Sequence, residues 1–207
     1  MGKADIELYG KDINLLKEAH DAFLDMKKAA YQDGIDIQIV SSYRSFAQQE
    51  AIFERKYIRF TDDGLEPLEA IDKIIEYSTI PGTSRHHWGT DIDIIDGSKK
   101  AEGDVLVADK FEEGGPFADL KLWMDEHAAD HNFVLVYTDN SRRRGFHYEP
   151  WHYSYAPISI PMLTSFRRKN ILALMQKEHF LGSEHFTKGF VNTYIRDNIL
   201  DINPVLL

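Results

Sequence analysis

The sequence predicts an α+β domain with a helical C-terminal extension. Its composition is that of a globular protein, because 43% of the 207 residues are hydrophobic and 12% are aromatic, enough to bury a sizeable core. Helical and strand-like patterns alternate up to about residue 156, whereas only helical spacing follows Pro157. We therefore expect a main domain over residues 1–156 and an extension over residues 157–207 that packs on that domain.

The N-terminal part of the chain predicts one helix followed by one strand. Apolar residues recur at helical spacing over Leu15–Ala30, and Gly34 is a plausible helix stop. Isoleucines then alternate with polar residues over Ile35–Ile39, which is typical of a strand with one buried face.

Two further helices follow this strand. Ser45 and Gln48 have the spacing of a capping box, which predicts a helix from Phe46 to about Tyr57. Pro67 is well suited to a first helical turn and predicts another helix that ends near Ile75.

The central part of the chain predicts three strands and one helix. Residues 98–115 are charged and contain glycine, so we expect them to form a surface excursion between the first of these strands and the helix. In chain order, the pattern predicts a strand over Thr90–Ile95, a helix over Pro116–His127, a strand over Phe133–Tyr137 and a strand over about Phe146–Tyr155.

Charge and cysteine content exclude several classes of function. The net charge of −10 disfavours nucleic-acid binding, which relies on Lys and Arg to neutralise phosphates. The chain has no cysteine, so disulfides, thiolate zinc sites and cysteine nucleophiles are excluded. No apolar run approaches the ~20 residues of a membrane span, and no signal peptide is visible at the N-terminus. A leader removed from this sequence would leave the same pattern.

Nine histidines without cysteine direct attention to metal sites built from nitrogen and oxygen donors. A catalytic zinc typically has three protein ligands and one open position. His86, Asp93 and His152 would supply two imidazoles and a carboxylate, and Gly89 lets the backbone turn between the first two. Glu149, held near His152 by an intervening proline, could accept a proton from a zinc-activated water.

These residues lie in motifs that resemble those of the LAS metallopeptidases, and most closely the VanY-type D-alanyl-D-alanine carboxypeptidases. The first motif, Ser-x-His-x-x-Gly-x-x-x-Asp, covers residues 84–93, and the second, Glu-x-Trp-His, covers residues 149–152. The tract Ser41-Ser42-Tyr43-Arg44-Ser45 with Gln49 is similar to the third family motif, Ser-Gly-Tyr-Arg-Ser with a glutamine five residues after the arginine. The resemblance implies a small antiparallel sheet flanked by helices, as in LAS and hedgehog domains.

The resemblance also implies a role for each motif residue. It implies one zinc ion per chain bound by His86, Asp93 and His152, with Glu149 as general base. Arg44 would stabilise the developing oxyanion, a role that suits a permanently charged guanidinium. The resemblance further implies that Ser84 and Gln49 hold the C-terminal carboxylate of the substrate.

Two motif positions depart from the family pattern. Asp91 stands where the family usually has alanine, and Ser42 stands where it has glycine. Because alternate residues of a strand share a face, Asp91 could add negative charge near the metal or compete with Asp93 as a ligand. A nearby base such as Arg85 could instead pair with it.

We expect a monomeric zinc peptidase that removes the terminal D-Ala from peptidoglycan stem peptides, located in the cell envelope or periplasm, with no nucleic-acid partner and no membrane span. A D,D-dipeptidase or a peptidoglycan endopeptidase carries the same motifs. A non-catalytic zinc-stabilised binding module, as in hedgehog domains, is the alternative from another class. His127 and His131 also have the His-x-x-x-His spacing of metal ligands on a helix, but they lack the glutamate of His-Glu-x-x-His peptidases.

Overall fold

A four-stranded antiparallel sheet organises the fold in the computed structural model, which describes residues 1–207. The predicted α+β class is confirmed. The strands are β1 (Ile37–Ser41), β2 (Asp91–Asp96), β3 (Phe133–Leu135) and β4 (His152–Tyr155), in the spatial order β1-β2-β4-β3. The α-helices are α1 (Lys17–Gln32), α2 (Phe46–Asp62), α3 (Pro67–Ile74), α4 (Ala118–His127), α5 (Ala156–Arg167), α6 (Ile171–Met175) and α7 (Lys188–Tyr194). Short 3₁₀ turns and a π-helical turn at Ile195–Ile199 complete the chain.

The two faces of the sheet differ in chemistry. Ile92 and Ile94 of β2, together with Tyr153 and Tyr155 of β4, point into a core formed with α1 and α4. Because side chains alternate along a strand, the intervening residues of both strands point to the opposite face. Around the candidate site these residues are polar, namely Asp91 and Asp93 of β2 and His152 and Ser154 of β4. We call this the polar face.

A second core lies beyond that polar face. It joins α2 and α3 to the C-terminal helices, and its buried members include Phe53, Ile71, Leu163 and Tyr194. Residues after 156 therefore share a core with the helices that follow β1. The boundary of the main domain at residue 156 stays a prediction.

The predicted strand over Phe146–Tyr155 is wrong in its first half, because only His152–Tyr155 forms a strand. Pro150 has no N–H to donate to a sheet ladder. The backbone instead makes a turn in which the N–H of His152 donates to the carbonyl of Glu149 at 3.1 Å. The turn places Glu149 beside the sheet rather than within it.

Helix starts were predicted more accurately than helix ends. The capping box at Ser45 and Gln48 is present in both directions, and α2 begins at Phe46 as expected. It continues to Asp62, one turn past the predicted end at Tyr57. None of the helices combines the length and the apolarity needed to cross a bilayer.

Tyr194 of α7 links the second core to the loop that precedes the candidate site. Its buried hydroxyl accepts a hydrogen bond from the backbone N–H of Ile80 at 3.0 Å and lies 2.8 Å from Thr83 Oγ1. Thr83 Oγ1 donates to the carbonyl of Ile80 at 2.7 Å. The tyrosine hydroxyl therefore satisfies one backbone donor that water does not reach.

We expect Tyr194→Phe to lower the free energy of unfolding by about 1–3 kcal/mol, because it leaves the buried N–H of Ile80 without an acceptor. Urea denaturation should show a lower midpoint with an unchanged slope. Tyr31→Phe is the matched control, since the side chain of Tyr31 is 71% exposed, and it should leave the midpoint unchanged. Equal midpoints for the two variants would contradict the role given to Tyr194.

Candidate metal centre

Adjacent strands and one short turn bring His86, Asp93 and His152 together. Asp93 of β2 pairs directly with His152 of β4, so their side chains lie side by side on the polar face. His86 belongs to the 3₁₀ turn Arg85–Trp88 that leads into β2. One donor atom from each residue lies within 4.8 Å of the others, and all three residues are buried.

Gly89 makes this convergence possible. It ends the 3₁₀ turn with φ 66°, in the left-handed region that other residues rarely adopt. A Cβ atom at Gly89 would also lie only 3.2 Å from Leu8 and 3.3 Å from Leu16. His86 and Asp93, seven positions apart in sequence, can therefore face the same point.

The available donor atoms suit a zinc ion. The Nδ1 atom of His86 lies 2.7 Å from the carbonyl oxygen of Ser42, so it is the protonated nitrogen and Nε2 is free to bind metal. Oδ1 of Asp93 is buried without any hydrogen-bond partner, which is costly for a carboxylate oxygen. The Nδ1 atom of His152 lies 3.5 Å from that oxygen. Two imidazoles and a carboxylate leave a fourth tetrahedral position open.

Charges within the centre depend on one another. Burial disfavours the charged form of Asp93, but His86 and His152 still hold the pKa of its carboxyl below the usual range. Burial is likewise outweighed at His152, where Asp93, Asp91 and Glu149 raise the pKa to about 10. Without a metal, the His152 ring is therefore protonated on both nitrogens at pH 7, and a metal cation would replace one of these protons.

Glu149 lies at the edge of this group. Its Oε2 atom is 3.0 Å from Nδ1 of His152, and its backbone N–H donates to the carbonyl of Tyr137 at 3.1 Å. The side chain is buried but lines the cleft described below. Its carboxylate is therefore accessible from the cleft beside the candidate metal ligands.

Arg44 is held by two side chains on the other side of the centre. Its guanidinium donates to Gln49 Oε1 at 2.7 Å and to Ser41 Oγ at 2.9 Å. Gln49 in turn donates to the carbonyl of Thr79 at 2.8 Å. Gln49 is completely buried and does not line the cleft, so the structure gives it contacts that position Arg44 rather than an approach to a ligand. Ser84 does line the cleft.

His87 connects the segments that carry Arg44 and Ser84. Burial lowers the pKa of His87 to about 4, so its ring is neutral at pH 7. Its Nδ1 atom donates to the carbonyl of Arg44 at 2.6 Å, and its Nε2 atom accepts from the N–H of Gly82 at 3.1 Å. Both ring nitrogens therefore bind backbone, which leaves none for a metal.

The metal centre lies in a cleft of about 960 Å³. One wall carries Arg44, Arg55 and Lys56, and none of these cations has an acidic side chain within 4 Å. Residues 104–109 of the predicted surface excursion form part of the lining and contribute Asp104 and Asp109. The sequence predicted a role for Arg44 only. It gave no reason to place Arg55, Lys56, Asp104 and Asp109 in the same cleft.

Two aromatic rings also line the cleft, whereas the histidine pair His127 and His131 lies outside it. The rings of Tyr77 and His147 stack with centroids 4.7 Å apart. His127 and His131 instead lie against Trp123 and belong to no group of three potential metal ligands.

Asp91 is neither solvent-exposed nor directed at the open part of the cleft. It is completely buried and forms an ion pair with Arg85, whose Nε lies 2.7 Å from Asp91 Oδ2. Burial opposes ionisation, but Arg85 and His152 hold the pKa of Asp91 well below its usual range. The pairing with Arg85 that the sequence left open is therefore present.

Comparison with known proteins identifies similar sequences. A family model described as VanY, D-alanyl-D-alanine carboxypeptidase, matches residues 12–158. An uncharacterized protein of Haemophilus influenzae is 30% identical over 107 residues, which cover 51% of this chain and 82% of that protein. A D-alanyl-D-alanine carboxypeptidase of Enterococcus faecalis is 28% identical over 136 residues, which cover 65% of this chain and 45% of that protein. The chain thus spans less than half the length of that carboxypeptidase.

Two solved structures have a similar fold. A variant of the vancomycin-resistance D,D-pentapeptidase VanY in complex with Zn(II) has a TM-score of 0.58 and 22% identity, covering 78% of this chain and 83% of that chain. VanYB in complex with D-Alanine-D-Alanine has a TM-score of 0.60 and 21% identity, covering 86% of this chain and 93% of that chain. At these identities the likeness concerns the fold.

We expect one zinc ion per chain, and its loss in Asp93→Ala and His152→Ala, because two remaining donors hold the ion poorly against water. Metal analysis after dialysis would measure the stoichiometry. His127→Ala is the control and should retain zinc, since His127 lies outside the group of three. Stoichiometric zinc in His152→Ala would show that the ion binds elsewhere.

Proposed function

The chain belongs to the VanY family of D-alanyl-D-alanine carboxypeptidases, and we propose that it is a zinc peptidase that removes the terminal D-Ala from peptides ending in D-Ala-D-Ala. The observation that carries this proposal is the placement of Glu149 and Arg44 on one cleft with the His86, Asp93 and His152 group. A structural zinc site needs neither an adjacent carboxylate nor a guanidinium facing the same space. The Zn(II) complex of the structurally similar VanY supports the choice of metal.

Zinc bound by the three ligands would lower the pKa of a water toward ~7 and polarise the scissile carbonyl. In the proposed mechanism, Glu149 accepts the proton of the attacking water and donates it to the nitrogen of the departing D-Ala. The carboxylate is well placed for this transfer, because Oε2 already lies within hydrogen-bond distance of His152.

Arg44 would stabilise the negative charge that develops on the carbonyl oxygen. Its guanidinium is fixed in advance by Gln49 and Ser41, so little reorganisation is needed when the charge appears. The proposed roles of Ser84 and Gln49 then differ. Ser84 can contact substrate from the cleft lining, whereas Gln49 acts through Arg44.

The cationic wall supports an exopeptidase rather than an endopeptidase. Lys56 Nζ donates only to Ser78 Oγ, at 3.0 Å, and Arg55 lies on the same wall. Unpaired cations in a protein with a net charge of −10 are suited to an anionic ligand group. A terminal carboxylate provides that group, whereas an internal peptide bond does not.

We further propose peptidoglycan stem peptides as the substrate class and the cell envelope or periplasm as the location. The family match to D-alanyl-D-alanine carboxypeptidases and the complex of VanYB, whose fold is similar, with D-Alanine-D-Alanine support this proposal. A D,D-dipeptidase would instead cleave the free dipeptide. Mass spectrometry of the products from defined muropeptides distinguishes loss of one D-Ala, loss of a dipeptide and an internal cut.

Glu149→Gln and Arg44→Met should retain zinc and the fold but lose most activity. Proton transfer by a positioned carboxylate contributes roughly 10²–10⁴-fold, and one oxyanion donor contributes roughly 10²–10³-fold. Release of D-Ala from a muropeptide measures the rate, and metal analysis measures zinc. A zinc-loaded Glu149→Gln that cleaves at the parent rate would refute the assigned base. A zinc-loaded parent that cleaves no muropeptide would favour the binding module.

Lys56→Met should raise KM for a peptide with a free C-terminus, because it removes a cation from the proposed carboxylate-binding wall. We expect an increase of about tenfold, the value of one charge-assisted hydrogen bond. Lys100→Met is the control, since Lys100 is exposed and lies outside the cleft.

A C-terminally amidated peptide tests the same wall from the substrate side. Parent enzyme should cleave it far more slowly than the acid, and Lys56→Met should reduce that difference. Equal cleavage of acid and amide by the parent would favour the endopeptidase.

A further inference from the structure

Asp91 is the most completely hydrogen-bonded carboxylate near the metal centre. Its Oδ1 atom accepts from Ser154 Oγ at 2.7 Å and from Thr90 Oγ1 at 2.8 Å. Its Oδ2 atom accepts from Arg85 Nε at 2.7 Å and lies 3.1 Å from His152 Nε2. These four contacts occupy the lone pairs of both oxygens, so Asp91 has no free donor atom with which to compete for a metal.

The sheet register makes the contact with His152 specific. Asp93 pairs with His152 and Asp91 pairs with Ser154 across β2 and β4. Asp91 and Asp93 lie on the same face, two residues apart, so they reach the His152 ring from two directions. Asp91 contacts Nε2, whereas Asp93 and Glu149 lie near Nδ1.

A neutral imidazole carries one donor nitrogen and one acceptor nitrogen, and its surroundings decide which is which. An ionised carboxylate can only accept. Carboxylates lie at both nitrogens of His152, Asp91 at Nε2 and Glu149 at Nδ1. A metal cation that replaced the proton on Nδ1 would leave the remaining proton on Nε2, where Asp91 accepts it. His86 is oriented in the same way by the carbonyl of Ser42, but through its other nitrogen.

We infer that Asp91 is a positioning residue that holds His152 as the Nε2–H tautomer and so presents Nδ1 to the metal, while Arg85 holds the Asp91 carboxylate in place. This inference rests on the proposed zinc site. Arg85 is 3% exposed and also donates to Ser154 Oγ at 2.7 Å. Its guanidinium lies 4.8 Å from the centre of the Trp88 ring, so it is fixed on more than one side. The Asp91 carboxylate would thus act on the metal through the imidazole of His152.

The alternative is that Arg85 and Asp91 form a buried ion pair with no effect on the metal. Such a pair contributes little net stability, yet removal of one partner destabilises strongly because a buried charge is left alone. Stability alone therefore does not distinguish the two roles. Zinc affinity and the tautomer of His152 do, because only a positioning residue changes them.

The first experiment uses the unmodified chain. Long-range ¹H–¹⁵N NMR of the zinc-loaded protein assigns the protonated and the metal-bound nitrogen of His152. We expect a proton on Nε2 and zinc on Nδ1. Zinc on Nε2 would overturn this inference and leave the proposed zinc site standing. A protein that binds no zinc would overturn the proposed function and this inference together.

The second experiment compares Asp91→Asn with Ser154→Ala. Asparagine keeps the shape of the side chain but can turn an N–H toward Nε2, which favours the opposite tautomer; the corresponding change in a serine-peptidase triad acts in that way. Chelator competition should show zinc binding roughly 10–100-fold weaker in Asp91→Asn. Ser154→Ala removes a donor to Asp91 without touching the ring, so its zinc affinity should stay within about threefold of the parent.

A double variant keeps the test decisive if Asp91→Asn does not fold. Arg85→Met combined with Asp91→Ala removes both charges and leaves neither buried alone. We expect the same loss of zinc affinity in this double variant. Zinc affinity within about twofold of the parent, in either folded variant, would overturn the positioning role.

Discussion

The antiparallel pairing of Asp93 with His152 is the constraint on which the rest of the structure depends. It places two of the three potential metal ligands on neighbouring strands, at a separation set by the backbone ladder rather than by flexible side chains. A slip of one residue in either strand would turn its polar side chains into the α1 and α4 core and its apolar ones onto the site. Ile92, Ile94 and Tyr153 oppose such a slip, because each is almost completely buried on the other face. The core thus fixes the geometry of the centre.

Burial of several ionisable groups at one place requires compensation within the group itself. Asp91, Asp93, His86 and His152 have almost no contact with solvent, so each charge must be balanced by a neighbour. Arg85 balances Asp91, which leaves the second carboxylate, Asp93, with a free buried oxygen. A divalent cation would supply the remaining positive charge at that oxygen. Asp91 is thus neutralised by Arg85 within the protein, whereas Asp93 is available to bind a metal ion.

Sequence patterns predicted what depends on local signals and missed what depends on long-range packing. The capping box at Ser45 and the alternation in β2 are local, and both were placed correctly. The strand over Phe146–Tyr155 was overextended, because alternation alone does not show that Pro150 begins a turn. Contacts outside the motifs, such as that of Tyr194 with Ile80, had no sequence signal.

The site residues follow the same division. The motifs predicted that the three potential ligands and Glu149 belong to one site, and in the structure all four line one cleft. The motifs did not show that Gln49 is enclosed behind Arg44, since that depends on the packing of α2 against the loop at Thr79. Sequence patterns also did not show that Lys56 and the acidic residues Asp104 and Asp109 line the same cleft. Residues far apart in sequence acquire a shared function only when the chain folds.

The C-terminal extension connects directly to the framework of the cleft, although the family match ends at residue 158. Tyr194 holds the loop before Ser84 through Ile80 and Thr83. On the other side, Gly145 approaches the extension so closely that a Cβ atom would lie 1.8 Å from the carbonyl oxygen of Asp197. One contact precedes the first metal-ligand motif, and the other precedes Glu149. Because both motifs are supported from the same segment, loosening of the extension would move them relative to each other, and the extension acts as part of the scaffold that holds the cleft.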